Sequence, residues 1–198
     1  MARPIVRDDI MPPDVYVKAR SESRRRIARL KEHRRISVGP YATFYFENRD
    51  TMLHQIHEML YIEKGGDEQV ADELRAYGPL VPNGRELVAT MMIEIEDEAM
   101  RKHELARLGY IEEKVSMTVE AGGERRKIDA RPEDDEERTT PEGKTSSVHF
   151  FHFQFDNPAA DLFRRADARV ILSIDHPNYG HMAVLPTDVK EALAADFD

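Results

Sequence analysis

The 198-residue sequence contains no cysteine. This absence excludes disulfide bonds, thiolate zinc sites, cysteine-ligated iron–sulfur clusters and thiol catalysis. No stretch approaches the roughly 20 apolar residues that a membrane-spanning helix needs. The first residues, Met1 to Val6, also lack the apolar core of a signal peptide. We therefore expect a cytoplasmic protein that does not associate with membranes.

Motifs that would identify a reaction are absent as well. The sequence has no Gly-x-x-x-x-Gly-Lys-Ser/Thr loop, no Gly-x-Gly-x-x-Gly turn and no Gly-x-Ser-x-Gly nucleophile elbow. It also has no aromatic signature of a nucleic-acid-binding module. Without a Glu-x-x-His pair, it is not a four-helix di-iron protein of the usual pattern.

The charge is distributed unevenly along the chain. The net charge is −9, yet residues 1–40 carry 11 Lys and Arg against 5 Asp and Glu, so the remaining residues carry −15. A basic N-terminal helical segment over residues 1–34 is compatible with docking on its own acidic body, on a protein partner or on nucleic acid. The acidic body argues against nucleic acid, because it repels phosphate groups.

Periodicity predicts a single α+β domain over residues 1–198. We expect a mostly antiparallel sheet of about six or seven strands with helices on one face, preceded by the basic helix over residues 13–33. Further helices are predicted over residues 50–63, 67–76, 97–108, 161–166 and 187–195. Strands are predicted over residues 35–38, 43–47, 87–95, 115–119, 126–128, 147–155 and 170–174. The acidic, proline-bearing residues 131–143 are predicted to form a mobile loop.

The helix over residues 50–63 is the first stretch that can carry chemistry. Its 100° steps place Glu63 on the same face as the apolar side chains. Glu63 then either needs a partner such as Arg49 or reaches solvent where the helix frays. His54 and His57 fall on the polar side, where we expect surface residues, and their order with Glu58 is not that of a zinc protease.

Two C-terminal stretches are also candidates. In the strand over residues 147–155, alternation places His149 in a row with Phe151 and Phe153, either as a buried neutral imidazole or as a metal ligand or proton shuttle. After the next strand come Asp175, His176 and His181. These three residues can supply metal ligands, but this segment also has the composition of an ordinary turn.

Several blocks of the sequence resemble a family of uncharacterised bacterial proteins of similar length, known as a domain of unknown function. The N-terminal blocks are Ser37-Val38-Gly39-Pro40, Phe46-Glu47-Asn48-Arg49-Asp50-Thr51, Gln55-Ile56 and Glu58-Met59-Leu60. The later blocks are Tyr77 to Gly84, Ala89-Thr90, Glu94, Lys144 to Phe150, Asp175-His176-Pro177, Tyr179 and His181.

The resemblance implies an accessory role in peroxide or iron handling, because genes of this family often neighbour those of rubrerythrin-like proteins and iron–sulfur oxidoreductases. It also directs attention to one set of family positions. These are Arg49, Gln55, Glu58, Glu63, Lys144, His149, Asp175, His176, Tyr179 and His181.

Three hypotheses follow. The leading one is a cytoplasmic accessory protein that docks on a rubrerythrin-like or iron–sulfur redox partner, with a divalent metal such as iron or zinc held by Asp175, His176, His181 and His149. The alternative is a small enzyme that uses Lys144, His149 and Glu58 or Glu63. A nucleic-acid binder through the arginine-rich helix is third, and a homo-oligomer is compatible with all three.

Overall fold

The computed structural model describes residues 3–133 and 138–198 of the chain. Within these residues the chain forms six α-helices and nine β-strands. The helices are α1 (Pro13–Glu32), α2 (Arg49–Glu63), α3 (Gly66–Tyr77), α4 (Glu98–Arg107), α5 (Asn157–Arg164) and α6 (Thr187–Ala194). The strands are β1 (Arg35–Val38), β2 (Ala42–Glu47), β3 (Glu86–Ile93), β4 (Val115–Ala121), β5 (Glu124–Asp129), β6 (Arg131–Pro132), β7 (Val148–Gln154), β8 (Arg169–His176) and β9 (Tyr179–Val184).

The strands form two antiparallel sheets. One sheet has the order β1-β2-β3-β7-β6 and the other has the order β5-β4-β8-β9. The predicted α+β class and antiparallel pairing are confirmed, whereas the prediction of one sheet with six or seven strands is wrong. The short β6 and the edge strand β9 lack a strong apolar alternation, so the sequence pattern did not reveal them.

Two apolar cores position these layers. The larger core lies between the sheets and includes the fully buried Phe44 and Phe151 of the first sheet and Met117 and Leu172 of the second. A smaller core lies on the other face of the five-stranded sheet, where Ile56 of α2 and Val70 of α3 pack near Val88 of β3. The five-stranded sheet therefore has the second sheet on one face and a helical layer on the other.

The hairpin of β8 and β9 replaces the turn predicted after residue 174. Asp175 pairs with Gly180 and His176 pairs with Tyr179, so Pro177 and Asn178 form a two-residue connection. Two-residue connections are the commonest link between antiparallel strands.

Tyr179 ties this hairpin to the first sheet. Its hydroxyl accepts the N–H groups of Tyr41 (2.8 Å) and Ala42 (2.9 Å) and donates to the carbonyl of Val38 (2.8 Å). Gly39 lies between these strands with a φ of +73°, and a Cβ atom there would lie 2.6 Å from the His181 ring. Only glycine meets both requirements without rearrangement of its neighbours.

The basic helix is confirmed with its predicted start at Pro13, and it ends at Glu32, one residue before the predicted end. Directly after it, the buried Arg34 donates to the carbonyls of Phe46 (3.0 Å) and Glu47 (3.2 Å) and forms an ion pair with Asp196. This pair joins the start of the first sheet to the C-terminal segment. Among the described residues, no helix is long and apolar enough to cross a membrane.

The segment predicted as a loop over residues 131–143 is only partly described, because residues 134–137 lie outside the described ranges. On one side of them, Arg131 and Pro132 pair with β7. On the other side, the buried Thr139 forms a bridge with Thr145. The described ends of this segment are thus attached to the domain, which the loop prediction did not anticipate.

Candidate functional site at the junction of α1 and α2

A polar cluster holds α1 against α2. Glu58 of α2 accepts hydrogen bonds from the Tyr16 hydroxyl (2.6 Å) and from both Nε and Nη2 of Arg20 (2.8 Å each). The bidentate bond to Arg20 is the main cause that lowers the pKa of Glu58 below its usual range. Burial, and next the bond to the Glu58 carboxylate, raise the pKa of Tyr16. Both groups therefore keep their hydrogen-bonded forms at neutral pH.

The two histidines of α2 belong to the same junction. The His57 ring is 4% exposed and stacks on the Tyr16 ring with centroids 4.7 Å apart. Its Nε2 accepts the N–H of Met11 at 2.9 Å, and burial lowers its pKa. His54 Nδ1 lies 3.0 Å from the Ser23 hydroxyl, and burial is also the main cause that lowers its pKa. The prediction that both histidines lie on the surface is wrong, because α1 and the segment before it cover that side of α2.

An apolar cleft of about 520 Å³ opens beside this cluster. We call it the cleft; it lies between the N-terminal segment, α1, α2 and α3. Its wall is mainly hydrocarbon and aromatic ring. The side chains that line it include those of Ile10, Tyr16, Val17, His57, Leu60, Tyr61 and Val70. A volume between about 300 and 1,000 Å³ is typical of sites that bind small molecules or side chains of partners.

The exposed side of α1 carries unpaired cations. Arg24, Arg25 and Arg29 are exposed, and within residues 3–133 and 138–198 none of them forms an ion pair. We call these three residues the arginine face. By contrast, Arg20 is bound to Glu58, and Arg26 lies 3.2 Å from Asp50. The acidic body of the chain therefore neutralises only part of the basic helix.

Most predicted residues of α2 and its surroundings do not converge on one pocket. Arg49 forms an ion pair with Asp9 at 2.7 Å rather than with Glu63. Glu63 is exposed and accepts a hydrogen bond from Gln69 at 2.9 Å, as expected for the frayed end of the helix. Gln55 is half-buried on α2, and Lys144 is exposed.

His149 is fully buried in the core between the sheets, as the alternation of β7 predicts. Its Nε2 lies 3.0 Å from the carbonyl oxygen of Ser146 and 3.2 Å from the hydroxyl of Thr145. Burial is the main cause that lowers its pKa. Its Nδ1 lies 3.9 Å from a carboxylate oxygen of Glu112, beyond hydrogen-bond distance.

The predicted metal set is not assembled. Alternation along β8 exposes Asp175 and buries His176, whose Nε2 lies 3.1 Å from the carbonyl of Gly109 and whose Nδ1 accepts the N–H of Asn178 at 3.1 Å. His181 is exposed and packs on the Tyr179 ring. Within the described part of the chain, no group of three or more His, Cys, Asp or Glu side chains is placed to hold a metal ion.

The residues named for the enzyme alternative are not brought together either. Glu58 is engaged by α1, His149 is enclosed between the two sheets, and Lys144 is exposed. These three side chains therefore do not face a common pocket. Of the predicted site residues, only Glu58 belongs to the junction described above.

Sequence reasoning missed the partners of Glu58. Tyr16 follows the 3–4 spacing of the apolar side chains of α1, and that spacing gave no sign of a hydrogen bond to a residue 42 positions away. Tyr61, over which the guanidinium of Arg20 lies at 4.3 Å from the ring centroid, carried no signal of its own. A single sequence does not show which face of α2 will receive α1.

Comparisons with other proteins place the chain in a family but add no activity. A family model described as "Protein of unknown function (DUF3501)" matches residues 4–197. The chain is similar to a crystal structure of a novel protein of unknown function from Burkholderia pseudomallei K96243, with 36% identity and a TM-score of 0.90 over 99% of this chain and 100% of that one. No curated protein matches. The chain belongs to the DUF3501 family.

Proposed function

We propose that this protein is an accessory protein that docks on an acidic protein partner through the arginine face of α1. The observation that carries the proposal is the exposure of Arg24, Arg25 and Arg29 without an ion pair to any described residue. The rest of the chain is strongly acidic, yet none of its described carboxylates forms an ion pair with these three arginines. The arginines are therefore available to a partner. Charge complementarity of this kind steers encounter and selects partners.

The way in which α1 is anchored supports the same reading. Tyr16 and Ile27 of α1 are buried, and Glu58 binds Arg20 bidentately. The helix is therefore fixed along one edge, and the arginine face is held outwards on a rigid element. Preorganised side chains lose less conformational freedom on binding than side chains on a loop.

The partner class follows from the family resemblance. We propose a rubrerythrin-like protein or an iron–sulfur oxidoreductase encoded beside the gene, with an acidic docking patch. A role in peroxide or iron handling would then come from that partner. The described residues of this chain supply the surface that positions it.

A binding assay with a matched charge control tests the proposal. The double variant Arg24→Glu/Arg25→Glu reverses two charges of the arginine face. The control Arg126→Glu/Arg169→Glu makes the same charge change at exposed arginines of β5 and β8. Affinity for the purified rubrerythrin-like partner is measured by biolayer interferometry at low and physiological salt.

We expect the first variant to bind about 10- to 30-fold more weakly, mainly through slower association, and the control to bind like the natural chain. Equal losses in both variants would show a general charge effect and refute docking at α1. So would the absence of binding at low salt. Binding of duplex DNA that Arg24→Glu/Arg25→Glu abolishes, without binding of the protein, would assign the arginine face to nucleic acid instead.

A further inference from the structure

The cleft and the arginine face are parts of one surface. Val17 and Tyr61 line the cleft and also line a second depression of about 500 Å³, whose other side chains include Arg20, Arg24 and Arg25. The guanidinium of Arg20 lies over the Tyr61 ring. A molecule seated in the cleft therefore reaches the arginines by passing over Val17 and Tyr61.

The floor of the cleft suits hydrocarbon. Two of the polar side chains that line it already have partners, because His57 accepts from Met11 and Tyr16 donates to Glu58. Burial keeps His57 neutral by lowering its pKa. The remaining wall is formed by side chains such as Ile10, Leu60 and Val70. A ligand group in this part gains free energy by leaving water and not by forming hydrogen bonds.

The charges around the surface give the ligand a direction. At the outer rim of the cleft, Arg7 forms an ion pair with Asp67 at 2.6 Å, while Lys64 and Asp14 carry opposite charges. The positive and negative charges at that end therefore cancel. At the other end, Arg24 and Arg25 are cationic without a carboxylate partner among the described residues. An anionic group is therefore favoured beyond Val17 and Tyr61 and not at the rim.

From this arrangement we infer that the cleft binds an anionic amphiphile. Its single hydrocarbon chain lies between Ile10, Leu60 and Val70, and its carboxylate or phosphate head lies on Arg24 and Arg25. Guanidinium groups bind either head in a bidentate manner. The inference requires no protein partner, since this chain supplies both the apolar and the cationic part of the site.

A series of fatty carboxylates tests the apolar half. Octanoate, decanoate and dodecanoate are titrated into the purified chain by isothermal calorimetry, each below the concentration at which it forms micelles. We expect about fourfold tighter binding for each added methylene until the cleft is filled. Decanol should bind severalfold more weakly than decanoate, because it lacks the charge. Affinity that does not depend on chain length would overturn the inference.

Two neighbouring valines of α1 provide a matched pair of variants. Val17, 54% exposed, lines the cleft, whereas Val15, 45% exposed, does not. Both tolerate a glutamate without loss of core packing. Val17→Glu should weaken decanoate binding at least tenfold, and Val15→Glu should leave it unchanged. Equal behaviour of the two variants would refute binding in the cleft.

A second experiment distinguishes a free fatty carboxylate from a membrane lipid as the ligand. Vesicles of anionic phospholipid replace decanoate in a sedimentation assay with the same variants. Binding to vesicles without binding of free decanoate would show adsorption to a charged membrane surface and overturn the inference. Decanoate binding that persists when the chain fails to bind the rubrerythrin-like partner supports the inference and removes only the proposed docking. Partner binding without decanoate binding would overturn the inference and leave the proposed docking intact.

Discussion

Tyr16 connects α1 to α2 through both its ring and its hydroxyl. Its ring is 3% exposed and lies between His57 and the rest of the junction, and its hydroxyl donates to Glu58. Two substitutions separate these contributions. Tyr16→Phe removes only the hydroxyl, and Tyr16→Ala removes the ring as well.

The expected free energies differ enough to be resolved. Tyr16→Phe loses one hydrogen bond to a charged acceptor, while Glu58 keeps both bonds from Arg20. We expect a loss of about 1.5 kcal/mol in the free energy of unfolding. Tyr16→Ala also leaves a cavity against His57 and should cost about 3–5 kcal/mol. For a chain of this length these losses correspond to falls in Tm of about 3–6 °C and about 6–20 °C.

Urea unfolding followed by circular dichroism measures both variants, with the slope m compared to confirm that only the midpoint changes. Val15→Ala, on the exposed side of the same helix, is the control and should stay within about 0.5 kcal/mol of the natural chain. Hydrogen exchange of the α1 amides reports whether the helix undocks locally. If Tyr16→Ala were no more destabilised or exchange-prone than Tyr16→Phe, the ring would not hold α1, and the argument from a rigid arginine face would fail.

His152 lies between Glu86 (3.0 Å) and Glu133 (2.7 Å), and the hydrogen bond to Glu86 is the main cause that raises its pKa. The contribution of protonated His152 to the free energy of unfolding is therefore complete below the ordinary pKa of about 6.5. This contribution is lost as pH rises through the raised pKa. Urea unfolding should show a larger deficit for His152→Asn at pH 6 than at pH 9, and the opposite trend would contradict this assignment. Gly39→Ala should destabilise more than Gly123→Ala in thermal unfolding: both have positive φ, but a Cβ atom meets close neighbours only at Gly39. Equal losses would show that backbone strain alone decides. Finally, saturating decanoate should weaken binding of the rubrerythrin-like partner in interferometry, because both ligands use the arginine face; unchanged affinity would place them on separate surfaces.

The sequence best predicted those features that depend on residues close to one another along the chain. The alternation of β7 placed His149, Phe151 and Phe153 on one face, and all three are fully buried. Residue type indicates Asn48 or Asp50 as the N-cap of α2, and in the structure the Asn48 side chain accepts the N–H of Thr51 three residues later. Such signals act over a few residues and need no knowledge of the tertiary arrangement.

Features that depend on distant contacts were not predictable. His57 falls on the polar side of an isolated α2, but docking of α1 converts that side into a second buried face. The turn after residue 174 had the composition of a loop, yet Tyr179 begins β9, and its hydroxyl binds the backbone of Val38, Tyr41 and Ala42. In both cases the deciding partner lies far away in the sequence.

Residues predicted as metal ligands or pocket residues near the β8–β9 hairpin are already hydrogen-bonded within the fold. Both ring nitrogens of His176 are hydrogen-bonded to backbone groups, and the hydroxyl of Tyr179 is hydrogen-bonded to three backbone groups. Residues that resemble ligands in the sequence are thus already committed to holding the hairpin, so a ligand would have to break those bonds before it could bind. Arg24 and Arg25 have no such commitment to any described residue, and the cleft beside them has an apolar wall that is open to solvent. The surface of α1 therefore keeps charged and apolar groups that a ligand can contact without breaking bonds of the fold.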